Sequence, residues 1–283
     1  MTKITKAGVI GAGVMGSGIA AHLASCGIHT LLLDIVPPQL GADADPAERN
    51  SFAARGLQGA LKSKPNVFVD KASSSLIEIG NLTDDLEQIS SCDWVIEVVK
   101  EDLAIKQDLL ERVERHWTPG TLVTTNTSGL SISAMLEGRS AEFSAHFFGT
   151  HFFNPVRYMH LLELIPGPTT KTEFIDQIAT FSSEVLGKGV VYAKDTPNFI
   201  ANRIGVYSMM ATLHAMLELG YTPEEVDAIV GTPMGRPRSA AFRTMDIVGI
   251  DTFVHVAQNC YDALPDDPER HLFEVPDFLS AMV

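Results

Sequence analysis

The chain has 283 residues, 45% of them hydrophobic, which is enough to bury one large core or two smaller ones. Its formal net charge of −14 argues against a nucleic acid or an anionic membrane as a partner, because both need a broad basic surface. Three scattered cysteines and the lack of a long apolar run predict a cytoplasmic protein with reduced thiols, no metal site and no transmembrane helix.

Strands and helices alternate in the first part of the chain. Strands are predicted at 7–10, 28–34, 77–80, 94–99 and 121–125. A first helix is indicated by the apolar residues Ile19, Ala20 and Leu23 and ends at about Ser25, and further helices are predicted at 47–62, 84–90 and 103–116. The near-continuous apolar run at 28–34 is typical of a strand buried on both faces of a parallel sheet. Residues 35–75 are harder to interpret, because the stretches on both sides of the predicted helix 47–62 look irregular. This alternation implies right-handed crossovers and an α/β fold with a doubly wound, Rossmann-type sheet.

The pattern changes after residue 140. Two strands, at 146–153 and 159–165, are joined directly and must run antiparallel, and a helix at 172–186 and a strand at 189–193 follow. Beyond residue 195 the strand signals end, and helices are predicted at 197–219, 223–230 and 246–263. We therefore expect an α/β domain at 1–194 and a smaller, all-helical domain at 195–283.

A glycine-rich turn follows the first predicted strand. Gly11, Gly13 and Gly16 have the G-x-G-x-x-G spacing within the segment VIGAGVMGSGIA. In a βαβ unit, the first glycine makes the tight turn, the second lets the backbone approach a pyrophosphate, and the third permits close helix–strand packing. Asp34 closes the next strand, where an acidic side chain binds a ribose 2′-hydroxyl and favours NAD over NADP. The alternative is a tight turn and a surface aspartate without a nucleotide.

A histidine and a glutamate interrupt the apolar runs of the predicted hairpin. If the hairpin is centred at residue 157, facing residues have a constant index sum, and His151 lies opposite Glu163. Facing Cβ atoms are about 5 Å apart, so the ring and the carboxylate are within hydrogen-bonding reach. A histidine oriented by a buried carboxylate is a general base with a fixed tautomer, and the alternative is a structural ion pair. His146 is a weaker candidate, because its parity places it on the other strand face.

Five motifs occur in order along nearly the whole chain: GAGVMGSGIA, IEVVKEDLAIK, TNTSGLSI, HFFNPVRYMHLLELI and KDTPNFIANRIG. On these motifs the sequence resembles the L-3-hydroxyacyl-CoA dehydrogenase family. The resemblance implies an NAD-binding domain at 1–194 and a helical domain at 195–283 for substrate binding and dimerisation. It also implies an acyl-CoA thioester substrate and a homodimer.

The resemblance also implies roles for single residues. His151 matches the catalytic histidine and Glu163 its partner, while Ser128 matches the serine that binds the substrate 3-oxygen. Asn202 matches an asparagine beside the acyl thioester. Two further matches, near the nicotinamide and its ribose, are Glu101 and Lys106. From sequence alone, Ser128 could instead be a helix cap, Asn202 a surface residue of a helix, and Glu101 with Lys106 a solvated charge pair.

Two features differ from the family pattern. The chain stops at FLSAMV, before the family's KTG.GFY-like tail, so we expect an incomplete helical domain from a longer protein. The motifs look most like those of long bacterial multifunctional β-oxidation proteins. The second feature is the segment 35–75, where Lys62 and Lys64 could contact the CoA phosphates or form a solvated charge run.

The sequence therefore predicts an NAD-dependent oxidoreductase that converts L-3-hydroxyacyl-CoA into 3-ketoacyl-CoA in fatty acid β-oxidation, with His151 as general base. Two alternatives are open. One is a hydroxy-acid dehydrogenase that does not use CoA, for which Lys106 is the nearest candidate for a lysine base. The other is a non-catalytic NAD-binding relative.

Overall fold

The computed structural model describes residues 3–283, which divide into two units. The first unit ends at Asp195, and the second runs from Thr196 to Val283. Each unit has its own apolar core: residues such as Val9 and Phe148 are buried in the first, and Phe253 is buried in the second. Within the described range, no helix combines the length and apolarity needed to cross a bilayer.

The first unit is built on a single sheet of eight strands. These are β1 (Lys6–Ile10), β2 (His29–Asp34), β3 (Ile77–Asn81), β4 (Trp94–Glu97), β5 (Leu122–Thr125), β6 (Phe147–Phe152), β7 (Leu161–Pro166) and β8 (Gly189–Tyr192). Their order is β3-β2-β1-β4-β5-β6-β7-β8, and only β6 and β7 pair antiparallel. The predicted doubly wound sheet with one antiparallel hairpin is confirmed.

Seven helices flank or connect these strands. They are α1 (Val14–Ser25), α2 (Pro46–Arg49), α3 (Ser51–Lys62), α4 (Leu103–His116), α5 (Ile132–Met135), α6 (Ala141–Ala145) and α7 (Thr172–Glu184). The helix expected at 47–62 is divided at Asn50 into α2 and α3. The helix expected at 84–90 is instead a short 3-10 helix, Leu86–Ser91.

The strand order indicates at which edge of the sheet a ligand would bind. The order reverses between β1 and β4, where Ile10 pairs with Glu97, and β5 follows with Thr125 opposite Glu97. Strand β6 is parallel to β5 and continues two residues past the Thr125–Gly149 pair to reach His151. In open α/β sheets, ligands bind outside the carboxyl ends of the strands at such a switch point. The predicted glycine turn, Asp34 and His151 all belong to carboxyl ends at this edge.

The second unit is helical, as predicted. Its helices are α8 (Ala201–Leu219), α9 (Pro223–Val230), α10 (Phe242–Val248), α11 (Ile250–Ala263) and α12 (Asp277–Ser280). The expected start of α8 at residue 197 is wrong, because Asn198 and Phe199 have positive φ angles of 57° and 48°. The helix expected at 246–263 is divided by Gly249, whose φ of 98° does not fit a helix.

A buried histidine in α1 links this helix to the segment before β8. The His22 side chain is buried, and its Nε2 lies 3.0 Å from the carbonyl oxygen of Leu186. Burial, helped by the ammonium of Lys188, lowers the pKa of His22 to about 4. His22 is therefore neutral in the folded chain over a pH range where an exposed histidine takes up a proton.

This difference predicts acid sensitivity of the fold. Between pH 6.5 and about 4 the unfolded chain binds a proton at His22 that the folded chain does not bind, so the free energy of unfolding falls as the pH decreases. At about 1.4 kcal/mol per pKa unit, the loss reaches on the order of 3 kcal/mol. Chemical denaturation at several pH values should show a shallower loss for His22→Gln, which keeps an N–H donor. Parallel curves for the two proteins would contradict the assignment.

Candidate active site

The glycine-rich turn between β1 and α1 is shaped by close backbone contacts. Gly11 has a φ of 106°, and a Cβ there would lie 2.5 Å from the carbonyl oxygen of Val98. A Cβ at Gly16 would lie only 1.7 Å from the carbonyl oxygen of Gly11. A Cβ at Gly13, in contrast, would meet no atom within 4 Å. Two glycines are thus required by the fold, while Gly13 opens a path to the backbone that suits a pyrophosphate at the N-terminus of α1.

Asp34 fixes the turn from the end of β2. Its Oδ2 accepts a hydrogen bond of 2.7 Å from the amide of Ala12, and its Oδ1 accepts one of 2.7 Å from the amide of Ile35. Asp34 also lines the cleft beside the turn. An acidic side chain that joins this turn to the end of the second strand fits the ribose-binding role predicted from sequence.

The predicted pairing of β6 and β7 is confirmed. His151 is in register with Glu163, and His151 Nδ1 lies 2.7 Å from Glu163 Oε2. The histidine is 4% exposed and the glutamate 0%. A carboxylate this deeply buried needs a charged or hydrogen-bonding partner. The carboxylate therefore contacts Nδ1 and fixes the direction of the imidazole ring, and a histidine oriented in this way can act as a general base.

The loop after β5 carries Ser128 and is held by Glu101. Oε1 of Glu101 accepts hydrogen bonds from the Thr127 hydroxyl at 2.6 Å, the Ser128 amide at 2.9 Å and the Gly129 amide at 3.3 Å. Burial acts to raise the pKa of the Glu101 carboxyl, but Lys106 and these donors outweigh it and leave the pKa below its usual range. Ser128 is not the helix cap considered from sequence, since Ser131 caps α5.

The same loop is joined to the strand that carries His151. The Asn126 side-chain oxygen accepts a hydrogen bond of 2.8 Å from the amide of Phe152. Phe152 directly follows His151, so this bond ties the end of β5 to the end of β6. The rings of His151 and Phe153 lie 4.3 Å apart between centroids, which packs the imidazole against an aromatic wall. The Ser128 loop and His151 therefore share one connected edge of the sheet.

Lys106 is buried, not solvated. Its side chain is 1% exposed, and its Nζ lies 2.7 and 2.9 Å from the two oxygens of Glu97 and 3.4 Å from Glu101 Oε2. The interpretation of Glu101 and Lys106 as a solvated charge pair is wrong for this reason. Glu97 was missed in the sequence, although the signal was present: like Glu163, it is an acidic residue inside an apolar strand, WVIEVV.

A cleft of about 640 Å³ lies between the glycine turn and α3. Gly13 and Asp34 line one side, and Arg55 and Lys64 contribute positive charge. His151 and Ser128 do not line this cleft. Helix α3 packs closely over the turn, since a Cβ at Gly56 would lie 2.2 Å from the carbonyl oxygen of Ala12.

Two further predicted site residues are Lys62 and Asn202. Lys62 ends α3, is exposed, and does not line the cleft, whereas Arg55, which the sequence did not single out, does. Asn202 lies in the first turn of α8 in the second unit and is partly exposed. Its contact with the acyl thioester stays a prediction.

The surroundings of the glycines predict a role in folding for Gly16 and a role in ligand binding for Gly13. Gly13 has φ −66° and ψ −171°, which alanine adopts without strain, so Gly13→Ala should change the free energy of unfolding by no more than about 0.5 kcal/mol. The added methyl should nevertheless weaken NADH binding at least roughly tenfold, because it occupies the approach to the backbone. Gly16→Ala should destabilise the fold by about 3 kcal/mol or more.

Denaturant titration and NADH fluorescence titration measure these two effects on the same protein preparations. Unchanged NADH affinity in Gly13→Ala would show that NADH does not approach the backbone of this turn.

Comparison with known proteins agrees with this geometry. Residues 6–196 match the model of the 3-hydroxyacyl-CoA dehydrogenase NAD binding domain, and residues 199–283 match that of the C-terminal domain of the same family. A probable 3-hydroxyacyl-CoA dehydrogenase of Bacillus subtilis is 50% identical over 288 residues, which cover 99% of this chain and 36% of that protein. The chain thus spans little more than a third of the length of that relative.

Two further proteins match over most of their own length. A probable 3-hydroxyacyl-CoA dehydrogenase of Deinococcus radiodurans is 46% identical over 272 residues, covering 96% of this chain and 77% of that protein. The crystal structure of (S)-3-hydroxybutyryl-CoA dehydrogenase from Ralstonia eutropha superposes with a TM-score of 0.78 at 26% identity, covering 99% of this chain and 93% of that one. The chain belongs to the 3-hydroxyacyl-CoA dehydrogenase family, and residues 6–196 form that family's NAD-binding domain.

Proposed function

We propose that this chain oxidises L-3-hydroxyacyl-CoA to 3-ketoacyl-CoA with NAD, as a step of fatty acid β-oxidation. The observation that carries the proposal is the buried contact of 2.7 Å between His151 Nδ1 and Glu163 Oε2. Bound NAD supplies the hydride acceptor for such an oxidation. A homodimer formed through the second unit belongs to the same proposal.

Each of these protein groups has a proposed role. His151 Nε2 accepts the proton of the substrate hydroxyl, and Glu163 stabilises the imidazolium that results. The Ser128 hydroxyl, on a loop held by Glu101, orients the substrate oxygen. Gly13 and Asp34 hold the nucleotide at the carboxyl edge of the sheet, and Asn202 is assigned to the thioester end of the substrate. Orientation of this kind is the main contribution of a protein to cofactor chemistry.

The two alternatives have less support. A dehydrogenase with a lysine base would need an accessible amine, but Lys106 is 1% exposed and its ammonium is bound to both oxygens of Glu97. A non-catalytic NAD-binding protein would have no use for a histidine held against a fully buried carboxylate, since a buried carboxylate is costly to desolvate. Retention of His151 and Glu163 in register therefore favours an active dehydrogenase.

Activity with acetoacetyl-CoA and NADH tests the proposal. We expect turnover in the wild type, and a decrease in kcat of about 10²- to 10⁴-fold in His151→Gln, because the general acid–base group is lost. NADH affinity should stay within about twofold, since no group of the glycine turn has changed. Glu163→Gln should also lower kcat, because an amide cannot stabilise the imidazolium as a carboxylate does.

The possible failures point to different conclusions. Wild-type NADH binding without any turnover would favour the non-catalytic alternative. Turnover of free 3-hydroxy acids but not of their CoA thioesters would favour a hydroxy-acid dehydrogenase that does not use CoA. Equal kcat values for wild type and His151→Gln would remove the histidine from the chemistry.

The basic residues of the cleft test the substrate class. If Arg55 and Lys64 contact the nucleotide part of CoA, the double alanine variant should raise KM for acetoacetyl-CoA roughly 10-fold, as expected for lost charge-assisted hydrogen bonds. KM for acetoacetyl-N-acetylcysteamine, which lacks that nucleotide, should not change. Lys62→Ala is the matched control, because Lys62 is exposed beside the cleft without lining it.

A rise in KM for NADH in the double variant would instead assign the two residues to the cofactor. A rise in KM for acetoacetyl-CoA in Lys62→Ala would restore the role predicted for Lys62 from sequence.

A further inference from the structure

Glu97 is a buried acid that the proposed reaction does not use. It ends β4, is 0% exposed, and receives four hydrogen-bond contacts at its two oxygens. Lys106 Nζ lies 2.7 Å from Oε1 and 2.9 Å from Oε2, the Val99 amide donates to Oε1 at 2.7 Å, and the Thr125 hydroxyl donates to Oε2 at 2.6 Å. A carboxylate at this depth is stable only with such partners. Glu97 therefore fastens α4 to the ends of β4 and β5.

The contacts of Glu97 determine how strongly the Lys106 ammonium attracts its other neighbours. An ammonium has three N–H donors, and two of them face the oxygens of Glu97. The carbonyl oxygen of Val99 lies at 3.3 Å and Glu101 Oε2 at 3.4 Å, which are longer contacts. Glu97 thus holds the ammonium at two close contacts, and Glu101 shares its charge at one longer contact.

Glu101 contacts Lys106 through Oε2, and its other oxygen faces the loop. Its Oε1 accepts from the Thr127 hydroxyl and from the amides of Ser128 and Gly129. Without the charge of Glu97, the ammonium of Lys106 would act on Glu101 alone and draw the carboxylate away from these donors, because a charge interaction strengthens steeply in a buried site. The backbone of Ser128 would then lose its anchor.

We propose that Glu97 is a positioning residue that holds the Ser128 loop in place through Lys106 and Glu101. The proposal rests on the proposed function, in which Ser128 orients the substrate oxygen. Glu97 need not touch substrate or nucleotide for this role. It determines how strongly the Lys106 ammonium attracts Glu101, and Glu101 in turn holds the loop.

Glu97→Gln tests the proposal against Asp93→Asn. Asp93 is the residue before β4, at the opposite end of the same strand, and its Oδ2 accepts hydrogen bonds from Thr5 and Lys6. Both substitutions convert a carboxylate into an amide beside one strand. Glu97→Gln should lower kcat with acetoacetyl-CoA roughly 10- to 100-fold, as for a displaced positioning group. Asp93→Asn should leave kcat unchanged; equal decreases in both variants would overturn the proposal.

A double-mutant cycle with Ser128→Ala separates positioning from general damage. If Glu97 acts through Ser128, the double variant Glu97→Gln/Ser128→Ala should be no slower than the slower single variant. If the two decreases in kcat multiply, Glu97 does not act through Ser128, and the proposal is wrong.

Amide hydrogen exchange gives a readout that does not need enzymatic activity. The amides of Ser128 and Gly129 should lose protection in Glu97→Gln and keep it in Asp93→Asn, while the amides of β2 stay protected in both. If the wild type shows no turnover, the proposed function fails, and exchange alone decides the role of Glu97.

If Glu97→Gln does not fold, Glu97→Gln/Lys106→Met removes the ammonium together with the carboxylate. Nothing then draws Glu101 away from the loop, so the amides of Ser128 and Gly129 should keep their protection in the double variant. Unchanged protection in Glu97→Gln, or lost protection in the double variant, would overturn the proposal.

Discussion

The register between β6 and β7 is the constraint on which the candidate site depends. Glu163 is completely buried, and its carboxylate is held against the imidazole of His151 at 2.7 Å. Removing the hydrogen-bonding partner of a buried carboxylate typically costs about 3 kcal/mol or more, because the charged group stays buried without that bond. Since side chains alternate across a sheet, a slip of one residue would turn Glu163 to the opposite face and separate the pair. The proposed base therefore forms only when the hairpin folds in this register.

The connection between these two strands is supported from both sides. The Lys188 ammonium donates to the carbonyl oxygens of Val156 and Met159, inside the turn. Arg157 donates from the same turn to the carbonyl oxygen of Phe68 at 2.7 Å, which joins the turn to the segment after α3 that lines the cleft. The hairpin that carries the proposed base and the rim of the nucleotide cleft are therefore parts of one hydrogen-bonded structure. Two acidic residues within strands, Glu97 and Glu163, are completely buried, and each holds a side chain of the candidate site, Lys106 and His151, respectively.

The sequence contained the sheet, the glycine turn and the register of the hairpin, because each is encoded by local periodicity or spacing. It did not reveal the burial of Lys106, since five residues of separation near a helix start fit a solvated pair equally well. Glu97 was readable by the argument applied to Glu163, but it was not recognised because the partner lies on a helix nine residues later and not on a facing strand. The start of α8 follows two residues with positive φ angles, Asn198 and Phe199, a conformation that is uncommon for residues other than glycine and that no local pattern encodes.

The protonation site of His151 tests the central claim most directly. If Glu163 holds the ring, the neutral imidazole must carry its proton on Nδ1, because a carboxylate accepts and does not donate. Nitrogen-15 chemical shifts of the ring, assigned by the loss of the signals in His151→Gln, distinguish the two tautomers in solution. The account predicts a protonated Nδ1 and an unprotonated Nε2 in the wild type. A proton on Nε2 would contradict it, since that nitrogen could then not accept a proton from a substrate hydroxyl.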